Sequence, residues 1–187
     1  MTKYIWVDLE TTGLDPDLCQ IIEAACIITD DDCNILGEYE AVVNPGHVAY
    51  EPGTIAMHKK SGLIDKVARG KVLADVENEI MELVLQHEPR RKRAYLAGSN
   101  VHFDRSFLVR YMPTIAGHVC SRHLDVSAIG MAMRTRFGKE IAEYRAPRPH
   151  RAKDDLMRSI TEYKWHMDNF VKTADEVAER PRQSING

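Results

Sequence analysis

The sequence contains no run of eighteen or more apolar residues, which argues against a transmembrane helix. It has no charged-then-apolar leader, since "MTKYIWVDLE" passes directly into a predicted strand, and a secretory signal is therefore not expected. Its four cysteines form no CxxC pair, which disfavours a zinc site and indicates reduced thiols. These absences predict a cytoplasmic protein that does not enter a membrane.

An excess of positive charge is also missing, because the formal net charge is −3 at pH 7. Proteins that hold long nucleic acids through their phosphates are usually basic, so any nucleic-acid contact should be small or rely on bound cations. The 187 residues, 44% of them hydrophobic, fit one globular domain. We assign the domain to residues 1–172 and expect residues 173–187 to form a flexible tail.

The order of the predicted elements indicates an α/β domain with a mixed sheet. Apolar runs bounded by turn residues predict three strands at 4–10, 20–30 and 34–45, joined by short links as an antiparallel meander. Helices and short strands then alternate. The predicted helical segments are 52–70, 72–87, 104–112, 127–138 and 151–171, and the later strands are 94–100 and 122–126.

The segment "WVDLETTGL" places two acids, Asp8 and Glu10, in a strand that is otherwise apolar. Residues i and i+2 face the same side of a strand, so both carboxylates project together near its end. Paired carboxylates repel each other unless they are protonated or bridged by a cation, and oxygen ligands suit Mg²⁺ or Mn²⁺. A metal site and a pair of solvated acids are equally compatible with this segment.

A further acid, Asp104, lies in "SNVHFDRSFL". It stands three and four residues before Phe107 and Leu108, so a helix places all three on one face and turns the carboxylate inward. The alternative is that Asp104 is the N-cap of the helix, a role that aspartate favours. Taken alone, this segment favours the N-cap.

The last predicted helix begins with two adjacent acids in "HRAKDD". Asp155 falls about 100° from the centre of the helix's apolar stripe and Asp154 about 160°, so Asp155 reaches a cleft beside the core and Asp154 points into water. His150 precedes the helix in the proline-rich loop 143–150. A lone loop histidine is commonly a surface residue, but here a carboxylate follows at short range.

Together, "DLETTG", "SNVHFD" and "HRAKDD" resemble the three motifs of the DEDD exonuclease superfamily, in the subclass with a histidine five residues before the last aspartate. Residues 4–171 most resemble the oligoribonuclease family. The resemblance implies a ribonuclease H-like exonuclease fold, α/β, with a mixed five-stranded sheet flanked by helices. It also implies a homodimer that degrades short single-stranded oligoribonucleotides from the 3′ end to 5′-mononucleotides.

The same resemblance implies the roles of the site residues. Two divalent cations, Mg²⁺ or Mn²⁺, would be held by Asp8, Glu10, Asp104 and Asp155. His150 would be the general base that takes a proton from the attacking water, since its ordinary pKa of ~6.5 leaves it largely neutral at cytosolic pH. Binding the phosphate through metal would also reconcile the negative net charge with a nucleic-acid substrate.

Candidate substrate-binding residues follow from the resemblance as well. Leu14 matches the position where the family wedges an apolar side chain against bases, although an ordinary turn leucine fits equally. His58 matches a family histidine near the substrate phosphate. Candidate phosphate contacts are arginines, namely Arg122 and the three that flank His150: Arg145, Arg148 and Arg151. The segment "PRRKR" (89–93) is interpreted as a solvated loop rather than a nucleic-acid contact.

The sequence departs from the family at two aromatic positions. Ser121 stands where the family has a tyrosine that closes the pocket over a dinucleotide, and Gly53 stands where it has a tryptophan. We therefore expect a less exclusive preference for dinucleotides. The alternative function is a general single-strand 3′–5′ exonuclease acting on DNA or longer RNA, as in proofreading. A non-catalytic nucleic-acid-binding module is disfavoured because every catalytic position is filled.

Overall fold

A computed structural model describes residues 2–47, 49–148, 150–172 and Glu176. Its centre is a five-stranded sheet in the order β3-β2-β1-β4-β5. The first three strands pair antiparallel, whereas β4 is parallel to β1 and β5 is parallel to β4. The strands are β1 Tyr4–Thr11, β2 Ile21–Thr29, β3 Ile35–Val42, β4 Tyr95–Gly98 and β5 His123–Asp125. The predicted meander and mixed sheet are confirmed.

The helices of the described residues are α1 Pro52–Lys60, α2 Ile64–Val67, α3 Leu73–His87, α4 Val101–Tyr111, α5 Pro113–His118, α6 Val126–Phe137, α7 Lys139–Ala142 and α8 Ala152–Phe170. Two of these helices, α5 and α7, were not predicted from the sequence. The unpredicted α5 starts at Pro113 directly after α4, because proline suits the first turn of a new helix but not the interior of an old one. The other, α7, is only four residues long and gives too little periodicity to detect.

Helices cover both faces of the sheet. On one face α3, α4 and α5 pack against Ile5, Val7 and Leu9 of β1. On the other face α8 packs against Trp6 of β1, where Leu156 and Ile160 form the contact. Strand β2, which lies between β3 and β1, is buried over all nine residues because it is covered on both sides. Because side chains alternate along a strand, the even-numbered residues of β1 point toward α8, as Trp6 does.

Three expectations from the sequence concern the C-terminal tail, membrane-spanning helices and the cysteines. The tail expected at 173–187 lies, apart from Glu176, outside the described residues, so the domain boundary at 172 stays a prediction. Within the described part of the chain, no helix combines the length and apolarity needed to cross a bilayer. All four cysteines are free thiols, as expected.

Candidate active site

The sheet side of the site is built on β1. Asp8 and Glu10 follow Trp6 at intervals of two, so the two acids share one face of the strand, as predicted, and that face is the one that packs against α8. Between them, the Leu9 N–H donates a hydrogen bond of 2.9 Å to Oδ1 of Asp104. The backbone of β1 thereby places a third carboxylate beside the first two. All three acids lie near the end of the strand.

The carboxylate of Asp104 reaches this position from the first turn of α4, where only 4% of the residue is exposed. The helix begins at Val101, three residues earlier than predicted, and its N-cap is Asn100. The N-cap interpretation of Asp104 is therefore wrong. Asn100 has a left-handed backbone (φ 61°), and its N–H donates to Asp125 Oδ1 at 3.1 Å. Asp125 also accepts from the first N–H groups of α6, so it holds two helix starts together.

The helix side of the site is built on the start of α8. Asp155 lies in its first turn, half-buried, while the neighbouring Asp154 is exposed, so the helix-face prediction is confirmed. His150 precedes the helix with a left-handed backbone (φ 55°). Ligand atoms of Glu10, His150 and Asp155 all lie within 4.8 Å of one another. A cavity of about 100 Å³ is lined by Asp8, Ser99, Arg148, His150, Asp155, Arg158 and Ser159.

The electrostatics of the cluster favour a cation. Burial, reinforced by Asp8, Asp155 and Glu23, raises the pKa of Glu10 to about 8. Burial and the neighbouring carboxylates likewise raise the pKa values of Asp8 and Asp104. Oδ1 of Asp155 is buried without a hydrogen-bond partner among the described residues. An all-oxygen donor set with this excess of negative charge fits hard divalent cations, which would neutralise it and satisfy the orphaned oxygen.

Leu14 and His58 occupy opposite environments. Leu14 is 71% exposed beyond the end of β1, where its N–H donates to Glu51 Oε1 at 3.3 Å. Gly13 permits this loop, because a Cβ there would stand 2.4 Å from the Glu51 carboxyl carbon. His58 is fully buried, with Nε2 donating to the Thr11 carbonyl at 2.8 Å and Nδ1 3.8 Å from Glu10. The Leu14 side chain is thus accessible to a ligand, whereas the buried His58 stabilises the end of β1 through its hydrogen bond to Thr11.

The candidate arginines also differ. Arg151 is bound by Glu23, to which its Nε donates at 3.0 Å, so its guanidinium is already engaged. Arg148 is exposed, lines the cavity and forms no ion pair within the described residues. Arg122 is exposed in the loop before β5. Their roles in substrate binding stay predictions, and the structure favours Arg148 over Arg151 for a phosphate contact.

Three residues of the site, Glu23, Ser99 and Ser159, were not predicted from the sequence. Glu23 is fully buried and pairs with Arg151, and the available signal was a lone acid in the apolar run "QIIEAACIITD". The Ser99 and Ser159 hydroxyls, 3.0 Å apart, join the end of β4 to α8. Neither serine gave a signal in the sequence, because the contact spans sixty residues of chain.

Two solved structures that are similar to this chain are exonucleases. Exonuclease I from Methylocaldum szegediense matches with a TM-score of 0.68 and 18% identity, over 92% of this chain and 42% of that chain. The zinc-bound exonuclease I–ssDNA complex of E. coli matches with a TM-score of 0.68 and 17% identity, over 95% and 43% of the two chains. The chain thus spans about two fifths of exonuclease I. At this identity the likeness establishes the fold, which is the ribonuclease H-like exonuclease fold expected from the sequence.

Comparison with known sequences indicates which kind of exonuclease the chain resembles. The profile of the exonuclease family matches residues 5–163. Oligoribonuclease of Chromobacterium violaceum is 36% identical, over 90% of this chain and 95% of its own. Human mitochondrial oligoribonuclease is 38% identical, over 98% and 78% of the two chains. The chain belongs to the oligoribonuclease family of exonucleases, which favours the short-RNA prediction over a general single-strand exonuclease.

Proposed function

We propose that this protein is a metal-dependent 3′–5′ exoribonuclease that degrades short single-stranded oligoribonucleotides to 5′-mononucleotides. The observation that carries the proposal is the convergence of four carboxylates and one histidine where the end of β1 meets the start of α8. Its family relatives, named oligoribonucleases, support the short-RNA substrate.

Asp8, Glu10, Asp104 and Asp155 would hold two divalent cations, Mg²⁺ or Mn²⁺. Bound there, such ions supply Lewis-acid activation of water and neutralise charge on the phosphate. The protein's own part is to fix these oxygens in place and to keep the site partly closed to solvent. Burial strengthens every interaction of the carboxylates with a cation, because the local dielectric constant is low.

His150 would take the proton of the attacking water. Its ring lies within 4.8 Å of the Glu10 and Asp155 carboxylates, close enough to reach a water held among them. His150 stands in the loop before α8 and is only half-buried, so its ring would be able to shift toward the water. The water oxygen would bond to phosphorus as the P–O3′ bond to the preceding nucleotide breaks; the leaving O3′ would take up a proton, and His150 would then return its own proton to solvent.

The exposed residues around the cavity would orient the substrate. Leu14 would pack against a base, and Arg148 would contact a phosphate oxygen beside Asp8 and Asp155. Arg122 is the candidate for a second phosphate contact further from the cleavage point. His58 would act from beneath Glu10 rather than on the substrate directly.

The proposal also covers assembly and compartment. We propose a homodimer in which the segment around Ser121 covers the partner's cavity, on the grounds of the family relation. A cytoplasmic location is supported by the four free thiols. The catalytic domain would comprise residues 1–172.

The test is hydrolysis of end-labelled RNA and DNA oligomers of two to twenty nucleotides, resolved by length, with Mg²⁺, Mn²⁺ or excess chelator. We expect cleavage of short RNA that requires the cation and returns when Mn²⁺ is added back. Full activity in chelator would overturn the metal-dependent mechanism. A clear preference for DNA or for the longest RNA would overturn the proposed substrate class.

A further inference from the structure

Glu23 is a carboxylate inside the molecule that the proposed reaction does not use. It lies on β2, directly opposite Glu10 of β1 in the antiparallel register, and is 0% exposed. Residues facing each other across antiparallel strands have Cβ atoms ~4.5–5.5 Å apart. A buried acid without a partner is strongly disfavoured, so its contacts must account for its presence.

Those contacts all lie at the start of α8. Nε of Arg151 donates to both carboxylate oxygens of Glu23, at 3.0 and 3.1 Å. The Ala152 N–H donates to Glu23 Oε2 at 3.0 Å. Arg151 is the N-cap of α8, but its own side chain makes no capping bond. The carboxylate of Glu23, on strand β2, caps the helix instead. The negative carboxylate also suits the positive end of the helix.

These residues are covalent neighbours of the proposed catalytic groups. Arg151 directly follows His150, and its carbonyl accepts the first helical hydrogen bond, from the Asp155 N–H at 2.9 Å. A displacement of Arg151 or Ala152 therefore moves both His150 and Asp155. Glu10 on β1 and Glu23 on β2 are fixed to each other by the strand pairing.

We infer that Glu23 is a positioning residue: by binding Arg151 and the Ala152 N–H, it sets the distance between the β1 carboxylates and the His150–Asp155 pair. Arg151 then ties the start of α8 to Glu23 and does not bind the substrate. The inference deepens the proposed function and rests on it for the identity of the reaction. Its physical content, the spacing of metal-binding groups, is measurable without catalysis.

A purely structural role is the competing explanation, since the pair joins a strand to a helix. The buried position makes Glu23→Gln informative, because the amide keeps the shape but weakens the contacts with the guanidinium. Partners in the outer shell of metal sites typically change metal affinity or activity 10–100-fold when replaced. We expect Glu23→Gln to weaken Mn²⁺ binding, measured by calorimetry, by about tenfold or more. It should also lower kcat while KM changes little, because the exposed substrate contacts are untouched.

A second variant keeps the test decisive if Glu23→Gln folds poorly. Removing one member of a buried ion pair leaves the other charge uncompensated, whereas removing both charges avoids that cost. The double variant Glu23→Gln with Arg151→Met keeps a carbonyl oxygen that can accept from the Ala152 N–H, so it should recover the thermal stability without recovering Mn²⁺ affinity or kcat. If affinity and rate recover together with stability, the pair only holds the fold and the inference is overturned.

The matched control is another ion pair between the same helix and the sheet. Lys153 of α8 pairs with Glu38 of β3 at 2.8 Å, and both side chains are partly exposed. Glu38→Gln should leave Mn²⁺ affinity and kcat within about twofold of wild type. Losses equal to those of Glu23→Gln would show a general effect of loosening α8 and would overturn the inference.

The two proposals can fail separately. An inactive wild-type protein that binds Mn²⁺, and binds it more weakly as Glu23→Gln, would refute the proposed reaction but support the positioning role. An active wild type whose folded Glu23→Gln variant has unchanged Mn²⁺ affinity and kcat would refute the positioning role alone.

Discussion

The two sides of the site are held in place by different kinds of interaction. On the sheet side, β1 pairs with β2 and β4, and even Asp104 of α4 is fixed by the backbone N–H of Leu9. On the helix side, the contacts that hold the start of α8 to the sheet run through side chains, chiefly Glu23 with Arg151 and Ser99 with Ser159.

This difference has a physical consequence. Backbone pairing persists whatever side chains a strand carries, so the sheet-side carboxylates should keep their places in most variants. The helix side depends on a few side chains, and single substitutions far from the substrate can shift it. If His150 is the base, as proposed, its loop would also benefit from freedom to move during proton transfer.

The largest expected effect comes from removing a helix-side carboxylate. Asp155→Ala should lower kcat/KM by orders of magnitude, because the loss of a proposed metal ligand should exceed the ~10–100-fold effect typical of outer-shell changes. Asp154→Ala, one position away and exposed, should lose less than about twofold. Steady-state kinetics on a labelled dinucleotide make the comparison. Equal losses in two folded variants would contradict the assignment of helix faces.

The next largest effect tests whether His150 is a general base or a metal ligand. His150→Ala should lower kcat by about 10²–10⁴-fold, the usual contribution of general-base catalysis. Mn²⁺ affinity, measured by calorimetry, should stay near the wild-type value, because the four carboxylates remain. A collapse of affinity along with the rate would make His150 a metal ligand.

A smaller effect is expected at the exposed loop beyond β1. Leu14→Ala should raise KM for short RNA by about tenfold, since the ~1–3 kcal/mol per base found for aromatic stacking is an upper guide for an apolar contact. The rate at saturation should change little, because the Leu14 side chain is exposed beyond the end of β1, away from the four clustered carboxylates. Leu18, also in this loop and 79% exposed, supplies a control substitution to Ala. Equal KM changes in both variants would argue against a specific role for Leu14.

The comparison also explains which features the sequence could predict. The positions of Asp8 and Glu10 follow from the two-residue period of a strand, and the inward face of Asp155 follows from helix periodicity. Both are local rules. Glu23–Arg151 joins residues 128 positions apart, and no periodicity encodes that pairing.

The start of α4 was misjudged for a related reason. The N-cap of this helix is Asn100, whose left-handed backbone is stabilised by Asp125 of a different strand. Aspartate is a good N-cap residue, so local preference alone placed the helix start at Asp104. The tertiary contact prevailed over that preference, and it freed Asp104 to face the other carboxylates.

The smallest predicted effect concerns substrate length. Ser121 cannot stack on a base, so kcat/KM should vary only modestly between two and seven nucleotides. Ser121→Tyr should steepen that dependence by up to about tenfold, which corresponds to ~1.4 kcal/mol. Rates measured on a series of RNA lengths make the test. A wild-type preference for dinucleotides of a thousandfold over pentamers would show that another residue closes the pocket.

In the proposed reaction, the sheet-side and helix-side groups together cleave short RNA from its 3′ end with the help of a divalent cation. The most direct measurement follows a 5′-labelled pentaribonucleotide over time, with Mn²⁺ and with chelator. We predict that labelled tetramer, trimer and dimer appear in that order with Mn²⁺, while unlabelled 5′-mononucleotides accumulate, and that nothing is cleaved in chelator. Release of the labelled mononucleotide as the first product, or an unchanged ladder in chelator, would refute this mechanism.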